Sequence, residues 1–166
     1  MRILALDLGL KCGWAAILSK HTDALFYQNS KPYTESNDLY HGTWNLKKLG
    51  DDFITPIAKF KSHLEAFNEV DAVAYEDVKS IFRGNYAAIN YGGLKTIVEL
   101  YALEREIPIY PVGVGKIKKW ATGKGNAKKK LMMQTCKDRL GITPRDDNEA
   151  DALWLLDYII KNNIGR

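Results

Sequence analysis

Arg2-Ile3-Leu4-Ala5-Leu6-Asp7-Leu8-Gly9-Leu10-Lys11-Cys12-Gly13-Trp14-Ala15-Ala16-Ile17 is the stretch that decides the fold. An apolar run climbs to one carboxylate, Asp7. A glycine-bounded turn follows, and a second apolar run leaves. The pattern predicts a β-hairpin with Asp7 near the end of its first strand. A carboxylate in such a run is costly to bury alone, so Asp7 asks for a metal ion or hydrogen-bond donors. The plainer reading is a strand-end acid that accepts hydrogen bonds from the turn.

Working outward, residues 2–8 and 13–19 form two strands, and 24–29 is the candidate for a third. Residues 30–41 are polar and read as a surface excursion, with a short strand near 40–45. Over 46–68 the apolar positions Leu46, Leu49, Phe53, Ile57, Phe60, Leu64 and Phe67 step by three and four, which is a helix face that Pro56 kinks or restarts. Residues 70–75 form a short buried strand ending at Glu76, which repeats the opening pattern of an apolar run delivering one acid. A loop spans 77–85. A long helix follows over 86–106, with Ile89, Leu94, Ile97, Leu100 and Tyr101 inward and Gly92-Gly93 inside it. Then come a strand at 107–112, a short helix at 113–122 and a turn at Gly123-Lys124-Gly125. Asn126 is read as the N-cap of a basic helix running to Leu140. Asp146 or Asp147 caps a last helix through Tyr158 or Ile160, with Ala150, Leu153, Trp154 and Tyr158 inward. The order βββ-α-β-α-β-α-α-α predicts one α/β domain over residues 1–166, with a mixed sheet of three antiparallel strands and then parallel strands.

With 166 residues the chain is long enough for a full core, and 46% hydrophobic with 27% charged residues is ordinary globular composition. No apolar run approaches a membrane span, and the opening reads as a strand without a signal peptide, so the expected location is cytoplasmic. Cys12 and Cys136 lie far apart and are expected as buried or inert thiols in a reducing compartment. His21, His41 and His63 are read as surface residues away from any carboxylate motif. There is no GxSxG, Walker A or CxxC motif. Net charge is only +4, but from Lys116 to Arg139 nine basic residues face one acid, Asp138. Such a segment suits a polyanion; as a plain solvated helix face it would need no partner.

Three acids then compete for one role. Asp7 and Glu76 end strands, and the last helix opens Asp146-Asp147-Asn148-Glu149-Ala150-Asp151. Asp147 and Asp151, four apart, share a helix face, as do Asn148 and Asp151, three apart. If the first and fourth strands are neighbours and this helix crosses their ends, the acids converge. Carboxylates without histidine partners suit Mg²⁺ or Mn²⁺. Two such ions would activate water and stabilise the leaving oxygen of a phosphodiester, with the basic segment holding the substrate backbone. Any one of these acids alone reads as a cap or a turn acceptor; their joint occurrence points to a nuclease.

These residues resemble the RuvC-like Holliday-junction resolvases of the RNase H-like superfamily. The resemblance is carried by Ile3-Leu4-Ala5-Leu6-Asp7-Leu8-Gly9 with Gly13-Trp14-Ala15, by Val73-Ala74-Tyr75-Glu76, by Glu149-Ala150-Asp151-Ala152-Leu153, and by the basic segment 116–130. Residues 20–45 look divergent, and the short, lysine-rich style resembles phage-type members. The resemblance implies an RNase H-like fold and metal ligands at Asp7, Glu76 and Asp151. Where the family places a fourth acid or a histidine, this chain has Asn148, and Asp147 is the alternative ligand. It also implies Lys118 and Lys129 near the scissile phosphate, and DNA contacts from Lys79, Phe82, Arg83, Lys116, Lys119, Lys124 and Lys128 as well. The family carries an aromatic wedge after this Glu; Lys79 occupies the nearest slot, and Phe82 is the candidate. A homodimer through the helix 86–101 is implied, because two symmetric nicks need two sites.

The expected activity is therefore Mg²⁺- or Mn²⁺-dependent cutting of four-way DNA junctions. The alternatives are a relaxed nuclease acting on forks and flaps and a non-catalytic DNA-binding module of the same fold. Asp7-Leu8-Gly9 also resembles the phosphate loop of actin-like kinases, but those need two such domains and a second glycine-rich loop, for which the chain offers no good candidate.

Overall fold

The structure is a computed structural model and describes residues 1–18, 38–48, 50, 52–79, 85–162 and 164. Strands β1 (Ile3–Asp7), β2 (Lys11–Ile17) and β3 (Leu39–Asn45) are followed by helix α1 (Ile54–Glu65), strand β4 (Ala72–Asp77), helix α2 (Asn85–Glu104) and strand β5 (Ile109–Gly113). Helices α3 (Val114–Thr122), α4 (Lys129–Thr135) and α5 (Asp147–Lys161) complete the chain, and α4 widens into a π turn at Cys136–Leu140. Among the described residues the element order is βββ-α-β-α-β-α-α-α. The third strand is the one foreseen near 40–45, whereas the candidate at 24–29 lies outside the described residues.

The five strands form one mixed sheet in the order β3-β2-β1-β4-β5. β1 runs antiparallel to β2, with Asp7 opposite Gly13, and β2 runs antiparallel to β3. β4 lies parallel to β1, with Leu6 beside Tyr75, and β5 is parallel to β4. Side chains alternate between the two faces of a strand. Leu4, Leu6, Val73 and Tyr75 therefore face α1 and α2, while Ile3, Ala5, Ala15 and Ala74 face α3, α4 and α5. The small residues on the second face leave a shallow bed. Helix α5 lies in it and buries Ala150, Leu153, Trp154, Leu155 and Ile159. Each large side chain so buried contributes roughly 1.5–3 kcal/mol.

Three boundaries and faces differ from expectation. Helix α1 starts at Ile54 rather than at residue 46, because the Asp52 carboxylate accepts from the N–H groups of Ile54 and Thr55 at 3.1 and 2.7 Å. Pro56 sits in that first turn, where a missing N–H costs nothing. Leu46 is buried but extends the β-edge, its N–H donating to the Leu10 carbonyl at 2.9 Å. Helix α4 begins at Lys129 with Lys128 at its N-cap, not Asn126. The N–H of Ala127 instead closes a turn onto the Lys124 carbonyl, and Ala127 itself is buried.

The third difference concerns α2. Ile89 and Leu100 are 55% and 44% exposed, and Leu103 is 73% exposed. Asn90, Tyr91, Leu94, Val98 and Tyr101 face the core instead. Gly93 serves the α1 contact, since a Cβ there would lie 2.6 Å from Ile57 Cδ1. Both cysteines are free and buried, as expected. Among the described residues no helix is long and apolar enough to cross a membrane.

Candidate active site

Asp7 is the last residue of β1 and Glu76 the last but one of β4. The two strands are parallel neighbours, so their carboxyl ends share one edge of the sheet, where open α/β sheets gather functional groups. Helix α5 crosses that edge and brings Asp151 from one turn inside its start. One carboxylate oxygen from each of Asp7, Glu76 and Asp151 lies within 4.8 Å of the others.

The electrostatics follow from this crowding. Burial, then the charges of Glu76 and Asp151, push Asp7 well above the usual carboxylate range. Burial also raises Glu76, against a hydrogen bond with Asp7 and the charge of Lys118. Asp151 is pushed up to about 7 by burial and by Glu76, with Lys118 pulling the other way. Three acids this close do not all ionise without added positive charge. Asp151 Oδ1 is buried and has no hydrogen-bond partner. An orphaned oxygen in an all-oxygen donor set fits a hard divalent cation.

The neighbouring candidates divide into two groups. Lys118 on α3 acts directly on Glu76 and Asp151. Lys129, the first residue of α4, pairs with Asp147. Burial works to raise Asp147, but the hydrogen bond from Lys129, a backbone hydrogen bond and the charges of Lys129 and Lys11 together outweigh it and hold that carboxylate below its usual range. Asn148 lies in the first turn of α5, with its backbone carbonyl against Gly13. Lys116, Lys119, Lys124 and Lys128 are exposed on and after α3, on the α5 side of the sheet. Lys79 is exposed just past β4, 4.0 Å from Asp77. Phe82 and Arg83 lie outside the described residues.

One expectation is overturned. His41 is not a surface residue remote from the acids: its Nδ1 pairs with the Glu149 carboxylate, which is 1% exposed. The two are 108 residues apart in the chain, and β3 carries no pattern that announces the pairing. Lys11 was also missed; its charge acts on Asp147 from the start of β2. His63 is exposed, as expected, and stacks on Trp44. His21 lies outside the described residues.

No protein-family model matches the chain. In sequence it is 40% identical over 68 residues to the crossover junction endodeoxyribonuclease RuvC of Pseudothermotoga lettingae, a match covering 40% of this chain and 42% of that protein. In structure it is similar to Thermus thermophilus RuvC, with a TM-score of 0.68 at 20% identity over 99% of this chain and 97% of that one. The same protein in complex with a Holliday junction substrate gives 0.71 at 19% identity, over 99% and 96% of the two chains. The yeast mitochondrial Holliday junction resolvase gives 0.62 at 15% identity, over 96% and 78%. The RNase H-like mixed sheet expected from the sequence is thus the one observed. With its acids gathered at one sheet edge, the chain has the fold of the RuvC-type Holliday junction resolvases and is similar in sequence to one of them over 68 residues.

Proposed function

We propose that this protein is a divalent-cation-dependent endonuclease that resolves four-way DNA junctions by paired, symmetric nicks. The observation that carries this reading is the cluster of Asp7, Glu76 and Asp151, whose oxygens lie within 4.8 Å of one another on a fold similar to RuvC. Asp7, Glu76 and Asp151 would hold two Mg²⁺ or Mn²⁺ ions, with Asp147 or Asn148 as a further oxygen donor. Bound there, such ions would supply positive charge to the phosphodiester and lower the pKa of an attacking water. The protein's own residues do the rest. Lys118, beside Glu76 and Asp151, adds charge where the transition state becomes more negative. Lys129 keeps Asp147 ionised. Lys116, Lys119, Lys124 and Lys128 meet DNA phosphates, a contact that positions the duplex without reading its sequence. Lys79, Phe82 and Arg83 are the further DNA-contact candidates, with Phe82 the candidate wedge.

Two symmetric cuts require two copies of the site. The exposed Ile89, Leu100 and Leu103 along α2 support a homodimer through that helix, which would cover them.

The test is a nicking assay on a synthetic four-way junction and a matched linear duplex, with Mg²⁺, Mn²⁺ or chelator, for wild type and Glu76→Gln. Paired metal-dependent cuts on the junction only, lost in the variant with binding retained, are the expected result. Equal cutting of forks and flaps would favour a relaxed branched-DNA nuclease. Tight junction binding without cleavage under either metal would leave a DNA-binding module and overturn the catalytic roles.

A further inference from the structure

Helix α5 reaches the sheet edge through its first turn, Asp147-Asn148-Glu149, and one turn later presents Asp151. Helix starts are weak points, with four N–H groups lacking intrahelical partners and a tendency to open locally. This one is gripped from the sheet at three places. The Asp146 carboxylate accepts from the Glu149 N–H at 2.9 Å and from Thr43 Oγ1 at 2.7 Å through the same oxygen. The Glu149 carboxylate accepts from the Arg145 N–H at 2.7 Å and, on its other oxygen, pairs with His41 Nδ1. Gly13 lets β2 touch the Asn148 carbonyl. Gly13 and Thr43 are register partners, and His41 lies two residues from Thr43 on the same face of β3. The three grips therefore form one continuous patch.

The grip has work to do because Asp7, Glu76 and Asp151 repel one another when ionised. Asp7 is held in the sheet by its pairing with Gly13 on β2, and Glu76 by its pairing with Val112 on β5. Asp151 is the member held by a helix, so its placement depends on how that helix is docked.

We propose that His41 and Thr43 are positioning residues for the acidic cluster: through Glu149 and Asp146 they hold the first turn of α5 on the sheet and set where Asp147 and Asp151 stand relative to Asp7 and Glu76. The proposal rests on the functional reading above and assigns to β3 a role in cation affinity.

The test measures Mn²⁺ binding to the full chain by calorimetry, junction binding in chelator, and single-turnover cleavage. Thr43→Val keeps the shape and removes the donor; Thr43→Ser keeps the donor. His41→Leu removes the nitrogen; His41→Asn returns an amide nitrogen near the place of Nδ1. Thr43→Val and His41→Leu are expected to weaken Mn²⁺ binding by about 10–100-fold, the usual effect of losing a group that orients a ligand. Cleavage should fall with it, junction affinity in chelator should stay unchanged, and Thr43→Ser and His41→Asn should recover most of the loss. Should Thr43→Val or His41→Leu unfold, Thr43→Ala against Thr43→Ser carries the same comparison. Folded Thr43→Val and His41→Leu proteins with wild-type Mn²⁺ affinity overturn the proposal, as does a loss that the conservative variants do not restore. Failure of the nuclease reading looks different: wild type then binds Mn²⁺ but cuts nothing, and the calorimetry still decides the positioning role. Wild type that binds no Mn²⁺ overturns both.

Discussion

Gly13 and Asn148 meet backbone to backbone: a Cβ on Gly13 would stand 1.9 Å from the Asn148 carbonyl oxygen. No side-chain rearrangement can relieve that contact, because both partners are main chain, one in β2 and one in α5. Gly13→Ala must therefore push α5 away from the sheet. Overpacking of this kind costs about 1–3 kcal/mol. Urea unfolding should show that loss, and Mn²⁺ binding should weaken as Asp151 moves off the strand ends. Wild-type stability in Gly13→Ala would show that α5 does not dock as closely as described.

The acid cluster sets a pH dependence in the metal-free protein. Asp151 is pushed up to about 7 in the folded state, above its usual value of 3.8, and Asp7 and Glu76 move in the same direction. A group whose folded pKa is raised stabilises the fold below its unfolded pKa and loses that contribution as pH rises through the folded one. The melting temperature in chelator should thus fall as pH rises from about 4 through about 7. Mn²⁺ should flatten the slope, because it neutralises the charge that builds up. A melting temperature that climbs over this range in chelator would contradict the assignment.

The same linkage predicts that Asp151→Asn makes the metal-free protein more stable at neutral pH, by on the order of 1 kcal/mol or more, while abolishing cleavage. Differential scanning fluorimetry in chelator reads the first effect and the nicking assay the second. A destabilised Asp151→Asn would mean that the carboxylate is structurally satisfied without a cation.

Lys118 and Lys129 should separate kinetically. Lys118 faces Glu76 and Asp151, so Lys118→Met should lower single-turnover cleavage by about 10²-fold with little change in junction affinity. Lys129 is spent on Asp147, so the main effect of Lys129→Ala should be an Asp147 that titrates higher, moving the acid limb of the pH–rate profile upward. Equal effects of the two variants on binding alone would reduce both lysines to phosphate contacts.

Trp154 tests the bed on which the site rests. It is fully buried in α5, its indole N–H donates to the Met132 carbonyl at 3.1 Å, and the Arg139 guanidinium lies over its ring. Trp154→Ala should cost about 3–5 kcal/mol in denaturant unfolding. Trp154→Phe, which keeps most of the volume, should cost less.

Asp7, Glu76 and Asp151 were legible in the sequence, because an acid ending an apolar run, or opening a helix of small residues, stands out against its local pattern. The strands β1, β2 and β4 were legible for the same reason: apolar runs and glycine-bounded turns act over a few residues. The outward faces of Ile89 and Leu100 were not, since apolar residues at helical spacing look alike whether they meet a core or stay exposed, and the packing of α1 against Gly93 chose the side. Nor was the pairing of His41 with Glu149, or of Thr43 with Asp146, each across more than 100 residues. By itself the sequence determined which groups could do chemistry and which elements carry them. Only the tertiary structure decided how α5 is held over the strand ends, because that depends on contacts between β2, β3 and the helix start that no local periodicity encodes.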